Sequence, residues 1–376
     1  MSIDPAKFYN ILISNGIDFF TGVPDSLLKE LCFYINDFSS EGQHVIAANE
    51  GNAIAIAAGY HLGTGKIPLV YMQNSGLGNA INPLISLCDP NLYSIPMLLL
   101  IGWRGEPGIR DEPQHIKQGN IQLDFFKVMD IPFEIISKDD QEVHRKIDKG
   151  VVKAIRENRP CAILVKRGTF DKYINPPHTI DDRLMTREQS LEIILEQLPN
   201  DSIIVSTTGK TSREIFEIRK NNGEPHFKDF LTVGSMGHCS SIALGISIVK
   251  PDQKVICIDG DGSLIMHMGS LSTIGKIKPK NFYHILINNF VHDSVGGQAT
   301  SAHFIEMLEL AKANGYRNLI RIEDTRQMKR QIKNFIKRKG PGFLEVRVRP
   351  GSRDNLGRPD ILPVDNKKSF MECLSE

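Results

Sequence analysis

Apolar and polar positions along the chain follow two rhythms. Residues 5–15 (PAKFYNILISN) are amphipathic at helical spacing, and residues 18–21 (DFFT) form a strand-like run into the turn GVPDS at 22–26. Ser26 is placed to open a helix over LLKELCFYIN, and residues 45–48 read as a strand. Asn49 suits the N-cap of an Ala-rich helix from Glu50 to Leu62, with Gly63 as its stop. Residues 69–73 make a strand followed by the loop NSGLGN. Residues 97–101 make another, followed by the loop GWRGEPGIRDEPQH at 102–115. Residues 162–166 supply a further strand. Strands alternating with helices predict βαβ units and a mostly parallel sheet.

The same alternation restarts in the second half, with strands expected at 203–206, 254–259, 282–288, 319–322 and 343–348. Between the halves, residues 169–186 contain Pro176-Pro177 and no period, as a linker would. The pattern predicts an α/β protein of two doubly wound, mostly parallel-sheet domains, 1–168 and 187–376, joined by the linker 169–186. The length of 376 residues leaves no room for a central third domain.

Composition narrows the function classes. With 45 basic and 44 acidic residues the net charge is +1, which gives no support to a dedicated nucleic-acid binder. No apolar stretch approaches the ~20 residues a membrane span needs, and the N-terminus lacks a basic n-region before a long apolar run. A cytoplasmic protein is expected. None of the six cysteines forms a C-x-x-C pair, so neither a disulfide framework nor a zinc site is expected, and no cysteine cluster suits an iron–sulfur centre.

The most specific chemistry lies in the second half. A strand ending at Asp259 delivers Gly260-Asp261-Gly262-Ser263, and a second strand delivers Asn288-Asn289, with 30 residues from Gly260 to Asn289. One βαβ crossover therefore carries oxygen ligands at both strand ends, where doubly wound sheets bind ligands. The glycines admit a phosphate, and an Asp carboxylate with an Asn amide oxygen suits Mg²⁺. Other glycine-rich loops fail their tests. TTGKTS at 207–212 has Ile204 where a P-loop needs its first Gly, and GLGNAI at 76–81 lacks the third Gly of a dinucleotide fingerprint.

This arrangement resembles the fingerprint of thiamin-diphosphate enzymes, which opens with GDG and closes with NN. The resemblance implies a thiamin-diphosphate-binding fold, with 1–168 as the pyrimidine-binding domain and 187–376 as the diphosphate-binding domain. It further implies Mg²⁺ held by Asp261, Asn289 and the Val291 carbonyl, with Gly260, Gly262 and Ser263 beside the diphosphate. It implies a glutamate on the aminopyrimidine ring, matched by Glu50 in ANEGNA, a backbone acceptor at Gly234, and Met236 in LTVGSMG as the wedge that bends the cofactor.

Longer blocks resemble the phosphonopyruvate decarboxylases, a family of thiamin-diphosphate-dependent 2-oxo-acid decarboxylases. They are TGVPDSLLK (21–29), QNSGLGNAINPL (73–84), GWRGEPGIRDEPQH (102–115), TTGKTSRE (207–214) and HDSVGGQAT (292–300). The resemblance implies decarboxylation of an anionic 2-oxo acid, in phosphonate biosynthesis. Asp25 and His115 are the candidate proton carriers, and Ser26, Lys210 and Arg213 candidates for the substrate anion, with Arg104, Arg110, Arg353 and Arg358 as further loop cations. It also implies a homo-oligomer, at least a dimer, with each active site at a subunit interface. Sulfopyruvate decarboxylase is the nearest rival, ahead of a carboligase or a non-catalytic binding subunit of the same fold.

Overall fold

The computed structural model describes residues 2–174, 181, 183–323 and 325–375. The chain divides into two compact units, residues 1–177 and 178–376. The first contains six strands: β1 (Phe20–Gly22), β2 (His44–Ile46), β3 (Leu69–Gln73), β4 (Met97–Gly102), β5 (Phe133–Ile136) and β6 (Pro160–Val165). All pair in parallel, in the order β2-β1-β3-β4-β6-β5. The second contains β7 (Ile203–Ser206), β8 (Asp229–Leu231), β9 (Val255–Gly260), β10 (Phe282–Asn288), β11 (Asn318–Ile322) and β12 (Gly342–Arg347). Their order, β8-β7-β9-β10-β12-β11, repeats the first succession strand for strand, again wholly in parallel.

Parallel strands need crossovers, and the helices that make them cover both faces of each sheet. The central strands are accordingly buried along their length: LVYM of β3, MLLLIG of β4, FYHILIN of β10. In the first unit Phe8, Leu31, Ile35, Ile147 and Val151 pack on one face, and Ala53, Ala57, Leu77, Leu84 and Phe126 on the other. The second unit is layered the same way. Ile194, Ile215, Ile332 and Phe335 cover one face, and Ala243, Leu264, Ile274 and Met307 the other. Each unit is thus an α/β/α sandwich with the carboxyl ends of its own strands along one edge.

Several local expectations shift. The helix expected at Ser26 runs from Lys29 to Phe38, because Asp25 Oδ2 accepts the Leu27 N–H at 3.0 Å and holds residues 26–28 in a turn. Asn49 does cap its helix, accepting from Asn52 N at 2.9 Å, but the helix passes through Gly63 to Thr64 and stops at Gly65, whose φ of +71° is left-handed. NSGLGN is helical rather than a loop: a 3₁₀ turn Asn74–Gly76 leads into the helix Leu77–Ser86. Of residues 169–186, residues 175–180 and 182 lie outside the described residues. Phe170 packs edge-on against Phe8 in the first unit's core, and Thr186 caps the helix Arg187–Gln197. No helix among the described residues is long and apolar enough to cross a membrane.

Candidate active site

In both units the singled-out residues fall at the carboxyl ends of the strands. Neighbouring strands β1 and β3, and likewise β7 and β9, send their chains to opposite faces there. That opens a crevice in a doubly wound sheet.

In the first unit, β1 leads into Val23–Ser26. Asp25 is fully buried; Oδ1 accepts from Gln73 Nε2 at 2.7 Å, at the end of β3. Burial pushes its carboxyl above the ordinary carboxylate range, against the opposing pull of Gln73 and the Leu27 amide. Gly102 ends β4 without a side chain because a Cβ there would collide with Asp25 Oδ2. Gln73 passes the contact on, accepting from Ser75 Oγ at 2.7 Å. The next residue, Gly76, lies against Glu50, where a Cβ would meet the Glu50 carboxyl. Glu50 is buried at the start of its helix, and its Oε2 accepts from Asn79 Nδ2 at 2.7 Å. The segment 73–79 thus touches both carboxyls: Gln73 donates to Asp25, while Gly76 packs on Glu50 and Asn79 donates to it.

Arg104 follows β4, with its backbone and the Nε side of its guanidinium held in place. Its Nε donates to Asp111 Oδ2 at 2.8 Å and its Nη1 to Ser26 Oγ at 3.0 Å; Asn74 clasps its backbone through Nδ2 to O at 2.8 Å and N to Oδ1 at 3.1 Å. Asp111 also accepts the Gly105 and Glu112 N–H groups; these donors and the guanidinium hold its carboxyl below the usual range despite burial. His115 lies in the first turn of the helix Pro113–Val128 and is buried, with Nδ1 lacking a hydrogen-bond partner among the described residues. Burial, aided by Arg104, lowers its pKa to about 4, so the imidazole is neutral at pH 7. Ser26 and Asp25 share the Arg104 cluster; His115 lies beneath its loop, where Gly105 packs on the His115 carbonyl.

In the second unit, Asp261 opens the turn after β9 and is 3% exposed. Thr300 Oγ1 donates to its Oδ2, and the N–H groups of Gly262 and Asn289 face the same carboxylate. Burial outweighs these donors and pushes its pKa up to about 7. Asn289 is buried, with Oδ1 accepting from Val291 N at 3.2 Å; Asn288 is turned away, donating to Glu345 Oε1 at 2.8 Å. Ser263 Oγ accepts from Thr207 Oγ1 at 2.9 Å, across the β7–β9 crevice, and from Gly237 N at 3.1 Å. At Gly262 a Cβ would lie 3.2 Å from the His292 ring and 3.5 Å from Met236 Cε, so the expected wedge stands beside the GDG turn. Gly234, half-buried, follows Val233, whose carbonyl accepts from Thr208 Oγ1 at 2.8 Å.

The substrate candidates part company. Lys210 Nζ lies 3.4 Å from Asp293 Oδ1, which a buried Arg187 also holds through Asp293 Oδ2 at 2.8 Å. Arg213 donates to the carbonyls of Leu356 and Gly357, a structural use. Arg353 is engaged by Glu188 and Glu217. Sequence reasoning assigns no role to Thr300, Asn79 or Gln73. Thr300 lies inside the block HDSVGGQAT, and Gln73 and Asn79 inside QNSGLGNAINPL, but only the fold shows which carboxylate each one meets.

The donor set fits a hard cation: a carboxylate, an amide oxygen and a backbone carbonyl, beside glycines where backbone can approach a phosphate. Comparison with known proteins bears on the cofactor-binding domains and the family. The thiamine pyrophosphate enzyme N-terminal TPP binding domain matches residues 6–127, and the C-terminal TPP binding domain residues 207–346. The chain is 34% identical to a phosphonopyruvate decarboxylase of Streptomyces viridochromogenes, covering 94% of this chain and 91% of that one. It is 33% identical to that of Streptomyces hygroscopicus, over 96% and 91%. A sulfopyruvate decarboxylase of Methanosarcina acetivorans is 27% identical over 98% and 97%.

Proposed function

Because this chain belongs to the phosphonopyruvate decarboxylase family of thiamin-diphosphate-dependent 2-oxo-acid decarboxylases, we propose that its own substrate is 3-phosphonopyruvate, converted to phosphonoacetaldehyde and CO₂. The observation that carries this reading is the buried Asp261 with its gathered donors, in a chain that a phosphonopyruvate decarboxylase matches over 94% of its length. The sulfopyruvate reading is supported by a full-length relative at 27% and by separate alpha and beta subunits at 33–34%, each matching about half of this chain, so the substrate assay below decides between the two.

Asp261, the Asn289 amide oxygen and the Val291 carbonyl would hold Mg²⁺ against the diphosphate, with Gly260, Gly262 and Ser263 lining it. When bound, the cofactor supplies an electron sink for the pair left behind as CO₂ departs. Glu50 would hydrogen-bond the aminopyrimidine ring, and Asn79 and Gly76 fix its carboxyl for that task. The Gly234 carbonyl would accept from the same ring and Met236 would prop it. Ser26 and Arg104 take the anionic end of the substrate: the guanidinium is preorganised by Asp111, and such a fork binds phosphonate oxygens well. Lys210 serves as a second, weaker cation, and Arg213 acts through the loop it braces. Asp25 delivers the proton that replaces the carboxylate, since its buried carboxyl keeps a proton to higher pH than a solvated one. His115, the other candidate proton carrier, is neutral at pH 7 and would accept and pass on a proton rather than supply one. As the resemblance implies, Glu50 of one copy and Asp261 of another serve one cofactor, in a homo-oligomer. The product aldehyde would feed phosphonate biosynthesis, in the cytoplasm.

Steady-state kinetics on phosphonopyruvate, sulfopyruvate and pyruvate test the reading. The expected kcat/KM favours phosphonopyruvate over pyruvate by about 10³-fold or more, the discrimination of a pocket built around a charged group. Equal or greater efficiency on sulfopyruvate would overturn the substrate assignment. In the same assay Asp25→Asn keeps the preference but loses turnover by roughly 10²-fold. Its stability should move the other way. A carboxyl whose folded pKa is raised costs stability progressively as pH rises above the ordinary value of 3.8. The uncharged amide escapes that cost, so the melting temperature of Asp25→Asn relative to wild type should rise with pH.

A further inference from the structure

Residues 73–76 join strand β3 to the helix Leu77–Ser86 and touch three groups of the site in succession. Gln73 donates to Asp25 at 2.7 Å, and Gly76 packs on the Glu50 carboxyl. Asn74, between them, reaches the loop after β4 and is 0% exposed. Its Nδ2 donates to the Arg104 carbonyl at 2.8 Å, and its Oδ1 accepts the Arg104 N–H at 3.1 Å.

Those two backbone groups flank a single Cα. Holding both fixes φ and ψ of Arg104, and with them the direction in which its side chain leaves the backbone. A short amide side chain suits this task because it offers a donor and an acceptor side by side. Burial of Asn74 keeps water from competing for the clasp. Asn74 is itself tied down, since its own carbonyl accepts from Gln118 Nε2 at 2.9 Å, on the helix Pro113–Val128. Residues 103–112 form neither helix nor strand, so no regular element sets the place of Arg104. At the far end of that side chain, Nε and Nη2 donate to Asp111 at 2.8 and 2.5 Å, and Nη1 donates to Ser26 at 3.0 Å. Each terminal nitrogen keeps a second N–H without a partner among the described residues.

We propose that Asn74 is a positioning residue that sets the preference for a 2-oxo acid bearing a second anionic group. It aims the Arg104 fork at that group, while the residues on either side of it place Asp25 and Glu50. One turn thereby fixes the spacing between the anion and the reacting carbon. This role rests on Arg104 taking the anionic end of the substrate.

The ratio of kcat/KM on phosphonopyruvate to that on pyruvate, measured on the whole protein with thiamin diphosphate and Mg²⁺, tests it. Asn74→Asp keeps the size and the acceptor but removes the donor. The ratio is expected to fall about 10-fold or more, the effect of losing one buried hydrogen bond, chiefly through a higher KM for phosphonopyruvate. Arg104→Gln should remove most of the preference, and adding Asn74→Asp to it should lower the ratio no further. If Asn74→Asp does not fold, Asn74→Ser, too short to span both groups, is read in the same way. An unchanged ratio, whether turnover falls on both acids or on neither, would overturn the role of Asn74 alone, provided that Arg104→Gln loses the preference. So would a full further drop in the Arg104→Gln background. A wild type without preference, or an Arg104→Gln variant that keeps it, would overturn the role of Arg104 and that of Asn74 with it.

Discussion

Glu50→Gln is expected to lower turnover by about 10²–10⁴-fold, the range a positioned acid–base group contributes, while the fold and diphosphate affinity stay close to wild type. The substitution is isosteric, and the Asn79 amide that donates to Oε2 can donate to a glutamine oxygen as well. Asn49 continues to cap the helix through Asn52, so the backbone has no reason to move. What is lost is the exchangeable proton. Gly76→Ala offers a second arm with the carboxylate intact. Its Cβ would collide with the Glu50 carboxyl and displace it, and a displacement near 1 Å costs about 10²-fold. Both are checked by single-turnover and steady-state rates beside cofactor titrations. Near-wild-type turnover in Glu50→Gln would remove Glu50 from the chemistry.

Asp261→Ala is expected to weaken metal-dependent thiamin diphosphate binding by at least about 10²-fold, or about 2.7 kcal/mol. Asp261 is the one ionisable member of the proposed oxygen donor set, beside an amide oxygen and a backbone carbonyl. Calorimetric titration of the cofactor at several Mg²⁺ concentrations reads this directly. Unchanged affinity, or affinity that does not depend on Mg²⁺ in the wild type either, would contradict the metal assignment. The two inactive variants also test assembly. If one cofactor draws Glu50 from one chain and Asp261 from another, refolded mixtures of Glu50→Gln and Asp261→Ala should regain roughly a quarter of wild-type activity through mixed dimers. No recovery from a demonstrably mixed population would place both residues on the same chain.

What can be read from the linear order depends on how local the cause is. The strands 69–73, 203–206 and 282–288 are expected and observed at the same residues, because each is a short apolar run closed by polar or turn residues. Strands β5 and β8 have no such signal. Each is three or four residues long, at a sheet edge, and too short to carry a period. NSGLGN suggests a turn because of its glycines, yet Gly76 is there to make room for Glu50, while Leu77, Ala80 and Leu84 form a helical core face. The 29–38 helix starts later than its sequence suggests because a side chain just upstream, Asp25, claims the amide of Leu27.

The site divides in the same way. Asp261, Asn289 and Glu50 are legible because glycine-rich strand ends and a cap sequence mark them locally. Their partners are not, since Thr300 reaches Asp261 from 39 positions away and Gln73 reaches Asp25 from 48. In the sequence Arg104 is one cation among several; Asp111 and Ser26 single it out only in the fold. Arg213 looks equally suitable until its guanidinium is found on two carbonyls. The cysteine spacing gives no hint of Cys239 meeting Cys257, because helix packing on the sheet, not sequence proximity, brings the two sulfurs to 3.8 Å.

Phosphorus NMR of the purified protein with phosphonopyruvate, followed with and without thiamin diphosphate and Mg²⁺, tests the central claim most directly. Loss of the phosphonopyruvate signal, matched by phosphonoacetaldehyde and an equal amount of CO₂ only when both cofactors are present, is the predicted result. A cofactor-loaded, folded enzyme that leaves phosphonopyruvate untouched would contradict it.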